Sequence, residues 1–283
     1  MGRKALAIFM ILLLVTFTGC IPGFEVHAPT PSTESSTAPS TDPATQPPTD
    51  SPTEAPTDPP TDPPTDSPTE APTEPKLLVA IDAGHQRKAN TDKEPMGPGS
   101  SEMKTKVSSG ARGVVTGQAE YALNLTLALK LEQELLFRGY EVLMIRRTHD
   151  VDLSNAQRAQ MANDAGADIF IRIHGNSYDS PEVHGALTMC QTKRNPYNGD
   201  LYAQSRALSE AVLDAIVAAT QCQKKSILES DTMSGINWCQ IPVTIVEVGF
   251  LSNPEEDRLI ATEEYQDKMV LGMANGIDAY FEK

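Results

Sequence analysis

The sequence predicts an α/β fold: a single domain whose mostly parallel central sheet is flanked by helices. Three observations predict it. The runs Leu77–Asp82, Asp168–His174 and Val243–Phe250 are short, β-branched and mostly apolar, the composition of parallel strands buried on both faces. Between the first two, Leu123, Leu127, Leu131 and Leu135 recur at four-residue spacing with Leu125 and Leu129 beside them, the apolar stripe of a helix packed on a core. Residues 76–283 are also of a length that forms one α/β domain with a substantial core.

Taken in order, the first strand ends in Ala83-Gly84, a small-residue turn that presents His85. The 34 residues between His85 and Glu120 contain Gly97-Pro98-Gly99 and Ser108-Ser109-Gly110 without periodicity. They read as a long loop, either lining a substrate groove or decorating the surface. The leucine-rich helix runs from Ala119 to about Arg138, with Gly139 as its stop. Glu120 falls in its first turn, where the helix dipole favours a negative charge and where a solvated acid is equally at home. A strand over Tyr140–Ile145 leads to an Arg146-Arg147-Thr148 loop, and His149, beside Asp150 and Asp152, reads as a surface histidine. Ser154 begins a helix to about Ala165 carrying Arg158, which either braces acidic loops or is exposed. After the strand ending at His174, a further strand covers Ala186–Cys190 and an amphipathic helix covers Leu201 to about Gln221. The stretch Ser226–Gln240 is polar and holds the single tryptophan, Trp238, placed to pack on the core or to stack on a sugar. The strand from Pro242 to Phe250 carries Glu247 in its middle, Asn253-Pro254-Glu255-Glu256 starts a short helix, and Glu263–Tyr280 closes the domain.

Open α/β sheets bind ligands at the carboxyl ends of their strands. His85, His174 and Glu247 are therefore candidates for one rim, with Glu120 a fourth. Two imidazoles and one carboxylate form a catalytic zinc set with a coordination position left open, and a further carboxylate can act on water there. Each residue alone has an ordinary reading: a histidine ending a strand is normally satisfied structurally, and Glu247 is also placed for a salt bridge. A carboxylate among valines nevertheless needs a partner, such as a metal or water bound to it. Asn176 and Arg172 are candidates for substrate polar groups and a substrate carboxylate, or else plain hydrogen-bonding groups near a strand end.

The motifs Asp82-Ala83-Gly84-His85, Glu120 ahead of Asn124-Leu125, Arg158 with Ala162-Asn163, Ile173-His174-Gly175-Asn176-Ser177 and Val246-Glu247-Val248-Gly249-Phe250-Leu251-Ser252-Asn253 occur in one order. In this the chain, from Lys76 to about Lys283, resembles the zinc-dependent N-acetylmuramoyl-L-alanine amidases of the type-3 amidase family. The resemblance implies one zinc ion on His85, Glu120 and His174, with Glu247 as the catalytic carboxylate. It also implies a hydrolase that cuts the amide between N-acetylmuramic acid and L-alanine in peptidoglycan. Two positions depart from the pattern: Gln86 stands where glycine is usual, and Arg172 where serine is common. Some relatives insert an autoinhibitory helix, but the connection from Gly175 to Asp200 holds a strand and a loop with little room for one, so an open site is expected. The competing readings are a zinc carboxypeptidase or deacetylase acting on the same wall, and a tethered wall-binding module without turnover.

The first quarter of the chain has another character. Arg3 and Lys4 precede an apolar run, Ala5–Phe17, shorter than the roughly 20 residues of a spanning helix. Residues 1–19 read as a signal peptide. Phe17-Thr18-Gly19-Cys20 resembles the lipobox of bacterial lipoproteins, which implies a lipid on Cys20 and a membrane anchor; ordinary secretion is the alternative. Residues 31–75 repeat Pro-Thr-Asp/Glu with no aliphatic side chain larger than alanine, so burial cannot offset their ordering entropy. At about 3.1 Å per residue such a tether reaches at most roughly 140 Å. It carries nine acids and no base, and the rest of the chain also remains acidic within a total of −15, which disfavours nucleic acid as a partner. Cys190, Cys222 and Cys239 form no Cys-x-x-Cys pair and are expected as buried free thiols. The expected protein is an extracytoplasmic, lipid-anchored monomer whose partner is peptidoglycan.

Overall fold

The structure is a computed structural model that describes residues 76–283; the expected signal peptide, Cys20 and the tether lie outside the described residues. The chain runs through β1 (Leu78–Ala83), β2 (Asn90–Pro95), β3 (Met103–Val107), α1 (Glu120–Phe137), β4 (Glu141–Met144), α2 (Asn155–Asp164) and β5 (Ile169–Asn176). It continues through β6 (Ala186–Cys190), α3 (Tyr202–Thr220), β7 (Lys224–Glu229), α4 (Ser234–Asn237), β8 (Val243–Phe250), α5 (Pro254–Ile260) and α6 (Glu263–Tyr280). Six strands form one sheet in the order β4-β1-β5-β8-β6-β7. Neighbours are parallel except β6 against β8.

Side chains of a strand alternate between faces, and the apolar residues here divide accordingly. Val79, Ile81, Ile169, Ile171, Ile173, Val246 and Val248 join leucines of α1 and the inner faces of α3 and α6. Ala80, Phe170, Val243 and Ile245 join Ala159 and Ala162 of α2 and Ile236 of α4. By the same alternation Asp82, Arg172, His174 and Glu247 continue the second face, and they do so at the carboxyl end of the sheet. On the first face α3 and α6 touch backbone to backbone. A Cβ on Gly272 would stand 2.7 Å from the Ile216 Cα, and one on Gly276 2.5 Å from the Val212 Cα.

Helix starts follow the predicted signals. Ser154 caps α2 in a reciprocal capping box with Gln157, and Asn253 caps α5 with Pro254 in its first turn. Two stretches differ from expectation. The long connection after His85 contains the antiparallel ribbon β2–β3, and the polar stretch after Ser226 contains most of β7 and all of α4. Neither the ribbon nor β7 buries a continuous apolar side, so no alternation marks them. The ribbon is held by hydrogen bonds instead: Glu94 accepts from Ala156 N and Ser234 Oγ, and Asn155 Nδ2 donates to Lys106 O. Trp238 packs partly buried against the core and donates Nε1 to Pro95 O. Cys190 and Cys239 are buried and Cys222 partly so, all three as free thiols; burial pushes the first two up to about 11 and about 12. Among the described residues no helix is long and apolar enough to cross a membrane.

Candidate active site

Three elements deliver three donors to one point. His85 follows β1, Glu120 opens α1 and His174 lies near the end of β5. The His174 Nδ1 stands 3.1 Å from both His85 Nε2 and Glu120 Oε1, and His85 Nε2 stands 3.0 Å from Glu120 Oε1. Ligands about 2.0–2.1 Å from a tetrahedral zinc lie about 3.3 Å apart, so this near-equilateral triangle is one face of such a site, slightly contracted. The donor set fits the ion. Burial lowers the pKa of His174 and so favours the neutral, ligating imidazole. Burial works against the charge of Glu120, but hydrogen bonds from His174 and His85 outweigh it and hold the carboxyl well below its usual range. Ala111 N and Gly175 N also donate to Glu120. His85 Nδ1 lies 3.1 Å from Ser108 O, which fixes a proton there and leaves Nε2 free to ligate.

The turn before His85 is built to aim it. His85 adopts φ 61°, a conformation that persists in a non-glycine residue only where the surroundings impose it. Asp82 is fully buried and accepts from Arg158 Nη1 at 2.6 Å and from Arg172 Nη2 at 3.0 Å. Burial opposes its charge, yet the two guanidinium groups hold it far below the ordinary carboxylate range. Arg158 also donates to Ala83 O, His85 O and Gln86 Oε1. Arg146 donates to Ala83 O, Gly84 O and Tyr121 O, and burial lowers it to about 10. Gly84 is required by contact, since a Cβ there would stand 2.3 Å from the His174 ring.

Glu247 pairs in register with His174 across β5 and β8 and shares a cleft with both histidines. The residue is partly buried, but its Oε2 is out of reach of solvent and without a hydrogen-bond partner among the described residues. Burial, reinforced by the charge of Glu120, pushes its carboxyl up to about 8. An orphaned carboxylate oxygen beside three donors that could hold a cation makes Glu247 a candidate proton carrier.

A family model described as N-acetylmuramoyl-L-alanine amidase matches residues 79–279. The chain belongs to this family. The amidase is 30% identical over 175 residues to the YqiI protein of Bacillus subtilis, covering 62% of this chain and 80% of that one. It is 28% identical over 187 residues to the germination-specific N-acetylmuramoyl-L-alanine amidase of the same organism, covering 60% and 74%. Among solved structures, the catalytic domain of the amidase CwlV from Bacillus (Paenibacillus) polymyxa var. colistinus superposes with a TM-score of 0.59 at 28% identity, over 73% of this chain and 98% of that one.

The other residues singled out from the amidase sequence separate in the structure. Arg172 lines the cleft while bound to Asp82 and Asn155. Asn176 turns its side-chain oxygen to Ser177 N and is not among the residues lining the cleft. His149 is half-buried rather than on the surface, edge-on to Tyr121, with an unpartnered Nδ1. Gln86, the departure from glycine, is buried and bonds Arg158 and Leu153 N, so it extends the brace of the turn. Sequence reasoning missed Arg146 and Ser108. Arg146 was signalled only by following a predicted strand directly; Ser108 only by lying in the long connection read as lining a groove or decorating the surface, and it does line the cleft.

Proposed function

We propose that this amidase hydrolyses the bond between N-acetylmuramic acid and L-alanine in peptidoglycan using one zinc ion held by His85, Glu120 and His174, with Glu247 carrying the proton. The observation that supports it is the triangle of donor atoms at 3.0–3.1 Å beside the unpartnered Glu247 oxygen. A zinc ion there supplies Lewis-acid chemistry, polarising the scissile carbonyl and making water a stronger acid. Glu247 takes a proton from the attacking water and returns it to the alanine nitrogen as the C–N bond breaks. Its raised pKa suits the second transfer, and a nearby cation favours the carboxylate needed for the first. Between β5 and the helix-forming residues before α3 the chain forms β6 and no α-helix, in keeping with an open cleft.

Digestion of peptidoglycan with the zinc-loaded protein is expected to release peptides with free N-terminal alanine, read by mass spectrometry. Loss of a terminal D-amino acid or of acetyl groups instead would favour the carboxypeptidase or deacetylase reading, and a purified protein free of zinc the binding module. We further propose that residues 1–19 are a signal peptide, that Cys20 carries lipid, and that residues 20–75 tether the catalytic domain, 76–283, outside the cell membrane. Replacing Cys20 with Ala is then expected to move the protein from the membrane fraction to the medium.

A further inference from the structure

The cleft continues beyond the histidines, and Arg172 and Lys104 line it together with Glu247. Arg158 and Arg172 are 0% and 3% exposed and share one carboxylate, Asp82. Glu94, a buried acid of the ribbon, spends its oxygens on Ala156 N and Ser234 Oγ and pairs with neither guanidinium. Buried charge left over in this way needs an anion. Arg172 directs Nε and Nη2 at Asp82 and Asn155, while its Nη1 has no hydrogen-bond partner among the described residues. That nitrogen lies against Gly235, where a Cβ would stand 1.6 Å away, so only glycine leaves room for the guanidinium in this position. Lys104, on the ribbon wall of the same cleft, forms no ion pair among the described residues either. Among the described residues an unpartnered guanidinium nitrogen and an ammonium with no ion pair therefore line one cleft, in a chain of net charge −15.

We propose that Arg172 and Lys104 form an anion subsite for the carboxylate on the second residue of the stem peptide, the one after the alanine. This rests on the amidase reading of the adjoining centre. Arg172 and His174 are two residues apart on one face of β5, so their Cα atoms stand about 6.6 Å apart. An extended peptide advances about 3.3 Å per residue, so with its scissile amide at His174 the first carboxylate within reach is on the second residue. Met189 and Ile245, apolar residues of the same cleft wall, suit the alanine methyl between. The free Nη1 of a guanidinium fixed by Asp82 and Asn155 is a charged, directional donor to a carboxylate oxygen, and the ammonium of Lys104 adds charge from the other element.

The test compares two muramoyl peptides with the full zinc-loaded chain, one with a free carboxylate on the second residue and one with that group amidated. The wild type is expected to favour the free carboxylate by about tenfold or more in kcat/KM, the scale of a charged hydrogen bond. Lys104→Ala and Arg172→Lys are each expected to bring that ratio towards one, chiefly through KM. Lys104 lies on the ribbon outside the core, so the first variant reads the subsite without touching the Asp82 pair. Equal cleavage of both substrates by the wild type, or a preference that survives in both variants, overturns the subsite and leaves the amidase reading intact. Cleavage of neither substrate overturns both.

Discussion

Asp82 and Glu247 are two carboxylates on the same face and at the same end of one sheet, and their surroundings drive them apart. Asp82 is saturated: two guanidinium groups hold it ionised, and through it the turn that aims His85. Glu247 has an oxygen just as inaccessible and nothing to bind it. One carboxyl is pulled below its normal range and the other pushed up to about 8. On the proposed mechanism the difference separates a carboxylate that builds a site from one that works in it. A structural acid is made safe by partners, whereas a proton carrier has to be left without them.

The sharpest break of this comparison is Glu247→Gln. Removing a positioned acid–base group lowers kcat by about 10²- to 10⁴-fold, and because Gln is isosteric and Oε2 has no partner to lose, zinc content and melting temperature are expected to stay at wild-type values. Turnover and metal analysis on one preparation check both halves. Asp82→Asn should do the reverse. It leaves two buried guanidinium groups short of their shared anion, a loss of about 3–5 kcal/mol of stability, measurable by urea unfolding.

The two carboxylates also predict opposite responses to pH. Glu247 has a folded pKa above its unfolded one, so the folded state binds the extra proton between about pH 4.5 and about pH 8. Its contribution to stability is complete below that window and is lost as pH rises through it. In chelator-treated protein the melting temperature should therefore fall over this range more steeply than in Glu247→Gln, and zinc should shrink the difference by favouring the carboxylate. Asp82 has a depressed pKa, so its contribution holds above the ordinary carboxylate range and is lost only in stronger acid. A wild type and Glu247→Gln with identical pH profiles would show that the burial of Glu247 carries no titration.

The same contrast explains what could be seen in the sequence. His85, His174 and Glu247 were legible because each interrupts or ends an apolar run, and an interruption that burial disfavours has to have a reason. The strands β1, β5 and β8 and the stripe of α1 were legible for the complementary reason. Arg146 was read as part of a loop and Arg158 as either brace or exposed, because a polar residue beside a strand or on a helix looks the same whether it meets solvent or a buried carbonyl. The ribbon β2–β3 is mostly polar and is fixed by partners from elsewhere in the chain, Ala156 and Ser234 on Glu94, Asn155 on Lys106 and Trp238 on Pro95, so its local sequence holds no record of it. Asn176 failed to reach the cleft because its side chain satisfies its own turn.

The smallest expected effect tests how far bracing extends to the proposed metal ligands. His85 Nδ1 has two neighbours on one residue, the carbonyl oxygen of Ser108 at 3.1 Å and its hydroxyl at 3.2 Å. Loss of an only partner behind a ligating histidine lowers metal affinity about 10- to 100-fold. In Ser108→Ala the carbonyl remains and still accepts the Nδ1 proton, so the tautomer that exposes Nε2 persists. Zinc affinity, measured by competition with a chelator, is therefore expected to fall by less than about tenfold. A loss near a hundredfold would mean that the hydroxyl, rather than the backbone, holds the ring. His85 would then depend on a single side chain, as Glu247 depends on none.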